Sequence, residues 1–390
     1  MFLDCNSCDE NYMRTEVTFI NFVRDRVGAD IHVLITTQGT GGGGTEYTLK
    51  FIGLGRFQGV DHTLTSVAPQ TATEDERRSG LTSVFKLGLV RYVADSPLAQ
   101  RLKVTFEELP GQTAARAVDD PWNFWVFRVG ASGDFESQES SESRGLSASF
   151  SANRTTEMWK INFNGSSNYD EDTFELEEED GGTFISVRRN SEARALVTKS
   201  INEHWSYGGT AIVLASTFQN YDLRTRTAPG IEYNIFPYSE STRRILTLFY
   251  GVGFQTADYT EETIFGKTSE RLLDHSFEVS MALRQPWGTA SGSLEVQQYL
   301  NRSDTYRVNA FGSVDVRLFK GFSLEVFGSG ARRRDQLSLR RGEATSEEIL
   351  VRQRELATGY QIEVGFGFSY SFGSIFNNVV NPRFRNVGGL

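Results

Sequence analysis

The stretch YQIEVGFGFSYSF, residues 360–372, decides the fold because apolar residues occupy every second position in it. Successive side chains of a β-strand point to opposite faces, so this segment has one apolar, aromatic face and one small or polar face. The apolar face carries Ile362, Val364, Phe366, Phe368, Tyr370 and Phe372, and the other carries Gln361, Glu363, Gly365, Gly367, Ser369 and Ser371. The pattern predicts a strand that separates an apolar environment from a polar one.

The same alternation extends over residues 122–373 and predicts twelve strands. They lie at 122–133, 145–152, 158–166, 183–198, 204–220, 223–237, 243–258, 276–284, 289–301, 305–319, 321–333 and 359–373. No run of residues approaches the roughly 18 consecutive apolar positions that a membrane-spanning helix needs. A mean hydropathy of -0.37 is compatible with a transmembrane β-barrel, in which only one face of each strand meets lipid. The predicted fold is mainly β, a twelve-stranded antiparallel transmembrane β-barrel with a small amino-terminal α+β domain.

Composition supports long strands and argues against a nucleic-acid partner. The 390 residues include 37 Gly and 8 Pro, and Pro is the residue that interrupts strands. The formal net charge is -10, whereas phosphate binding requires a basic surface. A soluble β-rich binding protein, with its apolar faces packed together, is the alternative fold. Its outer faces would carry Lys more often than the Gly and Ser found here, which favours the barrel.

The connections between the predicted strands alternate between short and long. NRTT, SINE, PYSEST, QPWG and FKG are short, whereas ESQESSESR, DEDTFELEEEDGG, YTEETIFGKTSERLL and residues 333–358 are mostly long and charged. Outer-membrane barrels have short periplasmic turns and long outer loops. This alternation of short and long connections predicts an outer-membrane barrel at 122–373 with both of its ends in the periplasm.

Residues 1–110 predict the periplasmic α+β domain, followed by a linker at 111–121. Helices are predicted at 16–26 and 71–94, and strands at 30–38, 46–53, 61–69 and 101–109. The second helix has a capping sequence, Thr73 followed three residues later by Glu76. The loop GTGGGG, 39–44, joins two strands and lacks the Lys-Ser/Thr of a phosphate-binding loop, so it predicts a flexible hairpin tip.

The last strand resembles the carboxy-terminal assembly signal of bacterial outer-membrane barrels, a Gly followed by alternating aromatic residues. Gly367, Tyr370 and Phe372 match it, although residues 374–390 continue beyond as a periplasmic tail. The resemblance implies recognition by the barrel-assembly machinery. Residues 122–384, including RQPWGTASGSLEVQQYL and FGSIFNNVVNPRF, resemble uncharacterised outer-membrane barrel proteins of Gram-negative bacteria. ADIHVLITTQ with EYTLKFIG is similar to the amino-terminal domains of the Tol-Pal periplasmic protein and the curli secretion lipoprotein.

The two cysteines lie close together in the sequence CNSC. An oxidising periplasm favours a local disulfide between Cys5 and Cys8. A structural zinc site needs four ligands, and no second CxxC or paired His accompanies this one, so no metal site is predicted. No cofactor is predicted either.

Charged residues of both signs fall on the polar faces of the strands. The predicted lumen-lining set is Arg128, Lys160, Arg188, Arg194, Glu278, Arg284, Glu295, Arg307, Asp315, Arg317, Glu325 and Glu363. A buried, unpaired charge costs several kcal/mol, so these groups must either pair across the lumen or meet water. A sealed barrel and a narrow channel both satisfy that condition.

An outer-membrane lipid hydrolase is the enzymatic alternative, with His275, Ser276 and His204 as candidate residues. Adjacent residues of a strand point to opposite faces, so His275 and Ser276 cannot share a proton directly. The acidic run at 170–180 has no EF-hand spacing and predicts a solvated loop.

The sequence therefore predicts an outer-membrane barrel that is not an enzyme and that acts as a narrow channel or as an envelope anchor or assembly component. The expected partners are outer-membrane lipid, lipopolysaccharide and the barrel-assembly machinery, and a periplasmic domain leaves room for a periplasmic protein partner.

Overall fold

The structure, a computed structural model, describes residues 1–94, 96–101, 103, 120–176, 182–342 and 357–374. It contains one four-stranded and one twelve-stranded sheet. In this part of the chain, no helix combines the length and the apolar character needed to cross a membrane. Most of the predicted strand at 101–109, of the linker and of the tail lies outside the described residues.

The amino-terminal sheet contains β1 (Phe2–Asp4), β2 (Ile31–Gly39), β3 (Thr45–Gly53) and β4 (His62–Ala68), in that spatial order. β1 is parallel to β2, and the other pairs are antiparallel. Helix α2 (Glu74–Ala94) shares its buried core with this sheet. Its predicted capping box is present, since Glu76 N donates to Thr73 Oγ1 at 3.2 Å and Thr73 N donates to Glu76 Oε2 at 2.7 Å.

The predicted helix at 16–26 is wrong. Helix α1 spans Glu10–Glu16 and is capped by Asp9, and a short 3-10 helix follows at Arg26–Gly28. The intervening chain bonds to the amino terminus instead, because Val23 N donates to Met1 O at 2.8 Å. The apolar spacing there reflects burial of an irregular segment rather than helical periodicity.

The large sheet confirms the twelve predicted strands, which follow one another in chain order and are all antiparallel. They are β5 (Trp125–Gln138), β6 (Ser141–Thr155), β7 (Trp159–Leu176), β8 (Gly182–Ser200), β9 (Trp205–Ser216), β10 (Tyr221–Asn234), β11 (Arg244–Tyr259), β12 (Ser269–Gln285), β13 (Gly288–Tyr299), β14 (Tyr306–Phe319), β15 (Phe322–Arg333) and β16 (Tyr360–Tyr370). Large apolar side chains are exposed on one face of these strands, including Phe366 at 80%.

Several strands are longer than predicted at the end opposite the short turns. ESQESSESR is not a loop, because β5 and β6 extend through it and leave a turn at 139–140. The acidic run is strand as far as Leu176. A strand needs about 9–11 residues to cross a bilayer, whereas β7 has 18. These extensions are mostly polar, with only scattered apolar residues such as Phe135 and Phe174, so they lacked the regular alternation that marked the rest of each strand.

The predicted barrel requires the last strand to pair with the first, and this pairing is not present in the described part of the chain. Within the described residues, β16 is hydrogen-bonded to β15 and β5 to β6, so the sheet is open between β5 and β16. Each of these two strands therefore keeps one row of backbone N–H and C=O groups without a strand partner.

Candidate functional site

The polar face of the large sheet encloses a cavity of about 590 Å³, called the chamber below. The sheet curves enough for strands from β8 to β14 to line it together. Its charged lining residues are Arg194, Arg224, Arg226, Glu232, Glu278, Glu295 and Arg307. The chamber is therefore polar and carries charges of both signs.

A buried ion pair crosses the chamber wall over strand β11. Arg226 of β10 donates to both carboxylate oxygens of Asp274 on β12, at 3.0 and 2.6 Å, and the Asp274 side chain is fully buried. Gly253 of β11 lies between them, where a Cβ would stand 2.5 Å from the Asp274 carboxylate and 2.6 Å from the Arg226 guanidinium. The absence of a side chain at Gly253 lets a β10 arginine reach a β12 aspartate.

The network continues from Asp274 across the next two strands. Gln297 donates to Asp274 at 3.0 Å and accepts from Arg307 at 2.6 Å. Arg307 also lies 3.6 Å from Asp335, which follows β15. Hydrogen bonds and ion pairs thus satisfy charges that would be costly to leave alone at this depth.

Asp335 belongs to residues 334–342, which we call the return segment because it folds back from β15 over the far end of the chamber. Leu337 is buried against Leu272 and Tyr299. The amide of Asn220, itself buried, donates to Ser338 O and to Glu261 O at 2.9 Å each. The return segment therefore covers the strand ends opposite the short turns.

The amino-terminal domain lies at the short-turn end. The Arg317 guanidinium, at the end of β14, donates to both oxygens of Asp4, at 2.5 and 2.7 Å, and lies over the Phe2 ring. Gly321 N donates to Asp25 at 2.6 Å, and Arg24 donates to Phe372 O at 2.9 Å. The domain is thus fixed to the sheet through both its strand β1 and the segment before β2.

Asp4 interacts with both Arg317 and His32 at this contact. Burial, the largest single influence, would raise its pKa, but the hydrogen bonds from Arg317 and His32 and the charge of Arg317 together hold the Asp4 pKa at about 2. His32 is fully buried; its Nε2 lies 3.1 Å from Asp4 and its Nδ1 accepts from Arg26 at 3.2 Å. An accepting Nδ1 leaves the ring proton on Nε2, where it donates to Asp4.

Strand β2 covers the short-turn end of the polar face. Ile31, Val33 and Ile35 belong to the core of the domain, yet Leu34 and Thr36, on the opposite face of the strand, are buried too. They line a cavity of about 380 Å³ together with polar-face residues of the large sheet, Arg284, Thr289, Asp315 and Arg317 among them. A strand buried on both faces shows that the domain shields this end of the sheet.

The glycine loop 39–44 also meets the large sheet. The backbone at Gly41 is so close to Thr155, at the end of β6, that a Cβ on Gly41 would lie 2.3 Å from the threonine side chain. The loop is therefore a hairpin tip whose glycines allow a close approach to the sheet. The domain therefore lies near the end of β6 at Thr155, the end of β12 at Gln285, which lines the shared cavity, and the turn between β14 and β15 at Gly321.

The structure distributes the predicted lumen-lining residues over three places. Arg194, Glu278, Glu295 and Arg307 line the chamber, and Arg284, Asp315 and Arg317 line the cavity beneath β2. The others lie elsewhere on the strands: Arg128 beside Gly43, Lys160 opposite Thr155 and Thr198, Arg188 in an ion pair with Asp172, Glu325 opposite Asp315, and Glu363 opposite Ser329. Their role in a lumen stays a prediction.

The remaining candidates are not brought together as a catalytic group. His275 lies near Tyr250 and Gln298, each at 3.4 Å, whereas Ser276 lines the chamber from the opposite face. His204 bonds to Asn234 O at a turn. Cys5 and Cys8 are joined in a disulfide next to β1. Among the described residues, no three His, Cys, Asp or Glu side chains are placed to hold a metal ion.

Sequence reasoning missed Asp4, Asp274, Gly253 and the return segment. Asp274 lies two positions before Ser276 and four before Glu278 on β12, so strand alternation alone could have placed it on the same polar face. The partnership of Asp4 with Arg317 had no such indication, because 313 positions separate the two residues.

Comparison with known proteins places the large sheet in a family. The model of the family described as "Protein of unknown function, DUF481" matches residues 131–329, about half of the chain. The chain belongs to this family. The DUF481 match begins in β5 and ends in β15, so it covers the chamber and leaves the amino-terminal domain outside. No curated protein matches the chain.

Among solved structures, one described as "NanC porin structure in rhombohedral crystal form" aligns with 63% of this chain and with 99% of that chain. The two sequences are 8% identical, and the TM-score is 0.27. A TM-score of this size supports no argument about function.

Proposed function

We propose that this DUF481 protein is an outer-membrane β-barrel that acts as a narrow channel, closed at rest by its amino-terminal domain on the periplasmic side. The Asp4–Arg317 ion pair, in which the carboxylate is buried and the guanidinium half-buried, carries the proposal, since it fixes the domain across the short-turn end of the polar face. Exposed apolar side chains on one face of the strands and a polar chamber on the other support a barrel in lipid.

The orientation follows from the two ends of the sheet. The domain lies at the end with the short turns, which is the periplasmic end of outer-membrane barrels. The long extension of β7 and the return segment then face outward. We propose no catalytic activity, and the partners of the barrel would be outer-membrane lipid, lipopolysaccharide and the barrel-assembly machinery.

A sealed barrel that serves as an envelope anchor is the second candidate. The Arg226–Asp274–Gln297–Arg307 network favours it, because these side chains already satisfy one another within the chamber. In that case the amino-terminal domain, rather than the lumen, would carry the activity through a periplasmic protein partner.

Planar-bilayer recording of the purified full chain tests the proposal. Wild-type protein should open rarely, whereas Asp4→Asn and Arg317→Gln should each open at least about tenfold more often, since breaking a buried pair costs several kcal/mol. The double variant should match the singles, because both remove one interaction. Glu16→Gln, which removes an exposed ion pair with Lys86 within the same domain, is the matched control.

Heat-modifiable migration on gels verifies that each variant is folded before recording. Frequent full openings of the wild type would contradict closure by the domain. Silence of every folded variant would overturn the channel and support the anchor.

A further inference from the structure

A second large cleft lies where the amino-terminal domain meets the short-turn end of the sheet. It has a volume of about 710 Å³, within the range of small-molecule sites. The domain contributes Phe2, residues 24–30 and Leu54, and the sheet contributes the turns at 286–287 and 318–323 with the end of β16. We call it the interface cleft; it lies outside the chamber, and Ser369 and Ser371 on the polar face of the last strand contribute to its lining.

The turns of the sheet give the interface cleft an apolar and aromatic wall. Trp287, Leu318 and Phe319 are each more than 40% exposed, and the Phe319 ring stacks on Phe322 at 4.8 Å. Val27, on the domain side, is also exposed. Aromatic rings at the ends of barrel strands are typical of positions at the membrane surface. The apolar wall of the cleft is therefore continuous with the face that would meet lipid.

The rim of the cleft is cationic. In the described part of the chain, no carboxylate lies within ion-pair distance of Arg24, Arg26 or Lys320. The carboxylates nearby are engaged elsewhere: Asp25 accepts from Gly321 N and Val27 N, and Asp30 pairs with Arg56. These three cations thus keep their charge available to a ligand.

The Arg24 side chain has a buried donor without a protein acceptor, as have five other arginines in the described part of the chain. Its Nη1 donates to Phe372 O, but its Nε is buried and has no hydrogen-bond partner among the described residues. An unsatisfied buried donor costs about 1–3 kcal/mol, and more when it is charged. An anionic oxygen in the cleft would remove that cost.

We propose that the interface cleft binds one anionic glycerophospholipid, with its phosphate at Arg24, Arg26 and Lys320 and its acyl chains along Leu318, Phe319 and Trp287. The inference rests on the proposed function, because it takes the short-turn end to lie at the inner surface of the outer membrane. That side identifies the ligand as a phospholipid of the inner leaflet rather than lipopolysaccharide. The bound lipid would join the domain to the sheet at a second point besides Asp4–Arg317.

Native mass spectrometry of the full chain in detergent, titrated with phosphatidylglycerol or phosphatidylcholine, tests the proposal. Wild-type protein should retain one phosphatidylglycerol in preference to phosphatidylcholine. Lys320→Ser should weaken retention about fivefold, the contribution of one cation at an anionic lipid surface. Arg24→Gln should weaken it further, because it also loses the buried donor. Lys267→Ser, at an exposed lysine of the opposite end, is the matched control and should leave retention unchanged.

Equal retention by Lys320→Ser and Lys267→Ser, or no preference for the anionic lipid, would overturn the proposal. So would binding that appears only in a variant ending at Ser374, which would identify residues 375–390 as the occupant. The titration needs no conductance, so its failure leaves the channel test standing, and a silent channel that still retains the lipid would refute the channel alone.

Discussion

At the scale of single residues, two buried carboxylates join parts of the molecule that are distant in the sequence. Asp274 joins β10, β12 and β13 within one sheet, whereas Asp4 joins the domain to the end of β14. Both pair with an arginine through two hydrogen bonds, the geometry that makes such pairs strong. The first stabilises the chamber wall, and the second decides whether the domain stays in place.

Asp4→Asn should remove the pH dependence of the domain in acid. The Asp4 pKa is about 2 in the folded protein and 3.8 ordinarily, so its contribution is complete above about pH 4 and is lost as pH falls towards 2. The wild type should lose about 2 kcal/mol of stability in that window. Asp4→Asn should be less stable at neutral pH and nearly flat below pH 4, as followed by thermal unfolding of α2 at several pH values.

Glu74→Gln, at an exposed carboxylate of α2, is the matched control for this experiment and should behave like the wild type. A wild-type profile that stays flat between about pH 4 and 2 would contradict the assignment of the low pKa to Asp4.

Residue-level prediction from sequence succeeds where chemistry is local. The Thr73–Glu76 capping box and the alternation that puts Glu278 and Glu295 on the chamber face both follow from short spacings. Arg317 was expected to line the lumen and does lie on the polar face, but its partner comes from another sheet. A local sequence pattern does not predict a partner that comes close only when the chain folds.

At the scale of elements, the return segment covers the end of the large sheet opposite the short turns. Its contacts come from two connections. Arg340 pairs with Glu261 and Arg341 with Glu262 between β11 and β12, and Asn220 between β9 and β10 donates to Ser338 O. The exposed ion pairs contribute little, since such pairs are typically worth under about 1 kcal/mol. The buried Asn220 amide is the contact most costly to lose.

Asn220→Gly should release the return segment. Asn220 has a φ of 60°, a conformation that Gly adopts without strain, so the variant removes the amide and leaves the backbone in place. Two carbonyls then lose their donor, at about 1–3 kcal/mol each, and trypsin should cut after Arg340 or Arg341 at least about tenfold faster. The rate of appearance of those termini, followed by mass spectrometry, measures the effect.

Asn301→Ala, which removes a single exposed hydrogen bond at the same end, is the control and should be cut at the wild-type rate. Equal rates for Asn220→Gly and the wild type would show that the ion pairs alone hold the segment.

Sequence periodicity located every strand of the large sheet but not the ends of the strands. Alternation marks a strand only where its two faces meet different environments, as in β16. Beyond that zone β5, β6 and β7 are mostly polar, and their backbone hydrogen bonds continue without a regular alternation of side chains. The helix misplaced at 16–26 has the same origin, since burial against Met1 imitates amphipathic spacing.

At the scale of the whole molecule, the open edge between β5 and β16 bears directly on the membrane proposal. Both strands carry apolar faces, and each has a row of backbone groups without a strand partner among the described residues. In hydrocarbon, each unsatisfied backbone group costs several kcal/mol, which is why strands cross membranes only in closed barrels. If the protein resides in the outer membrane, β5 and β16 must therefore pair there.

Cysteine pairs across this edge test closure and location together. Val129→Cys on β5, combined in turn with Val364→Cys, Phe366→Cys or Phe368→Cys on β16, samples three registers with both side chains on the apolar face. The protein should fractionate with outer membranes, and one of the three pairs should form a disulfide on mild oxidation, because antiparallel neighbours bring their Cβ atoms within about 5.5 Å. The Val326–Phe366 pair, already adjacent in β15 and β16, is the positive control. Formation of the control disulfide alone, or recovery of the chain as a detergent-free monomer, would leave the sheet open and refute the barrel.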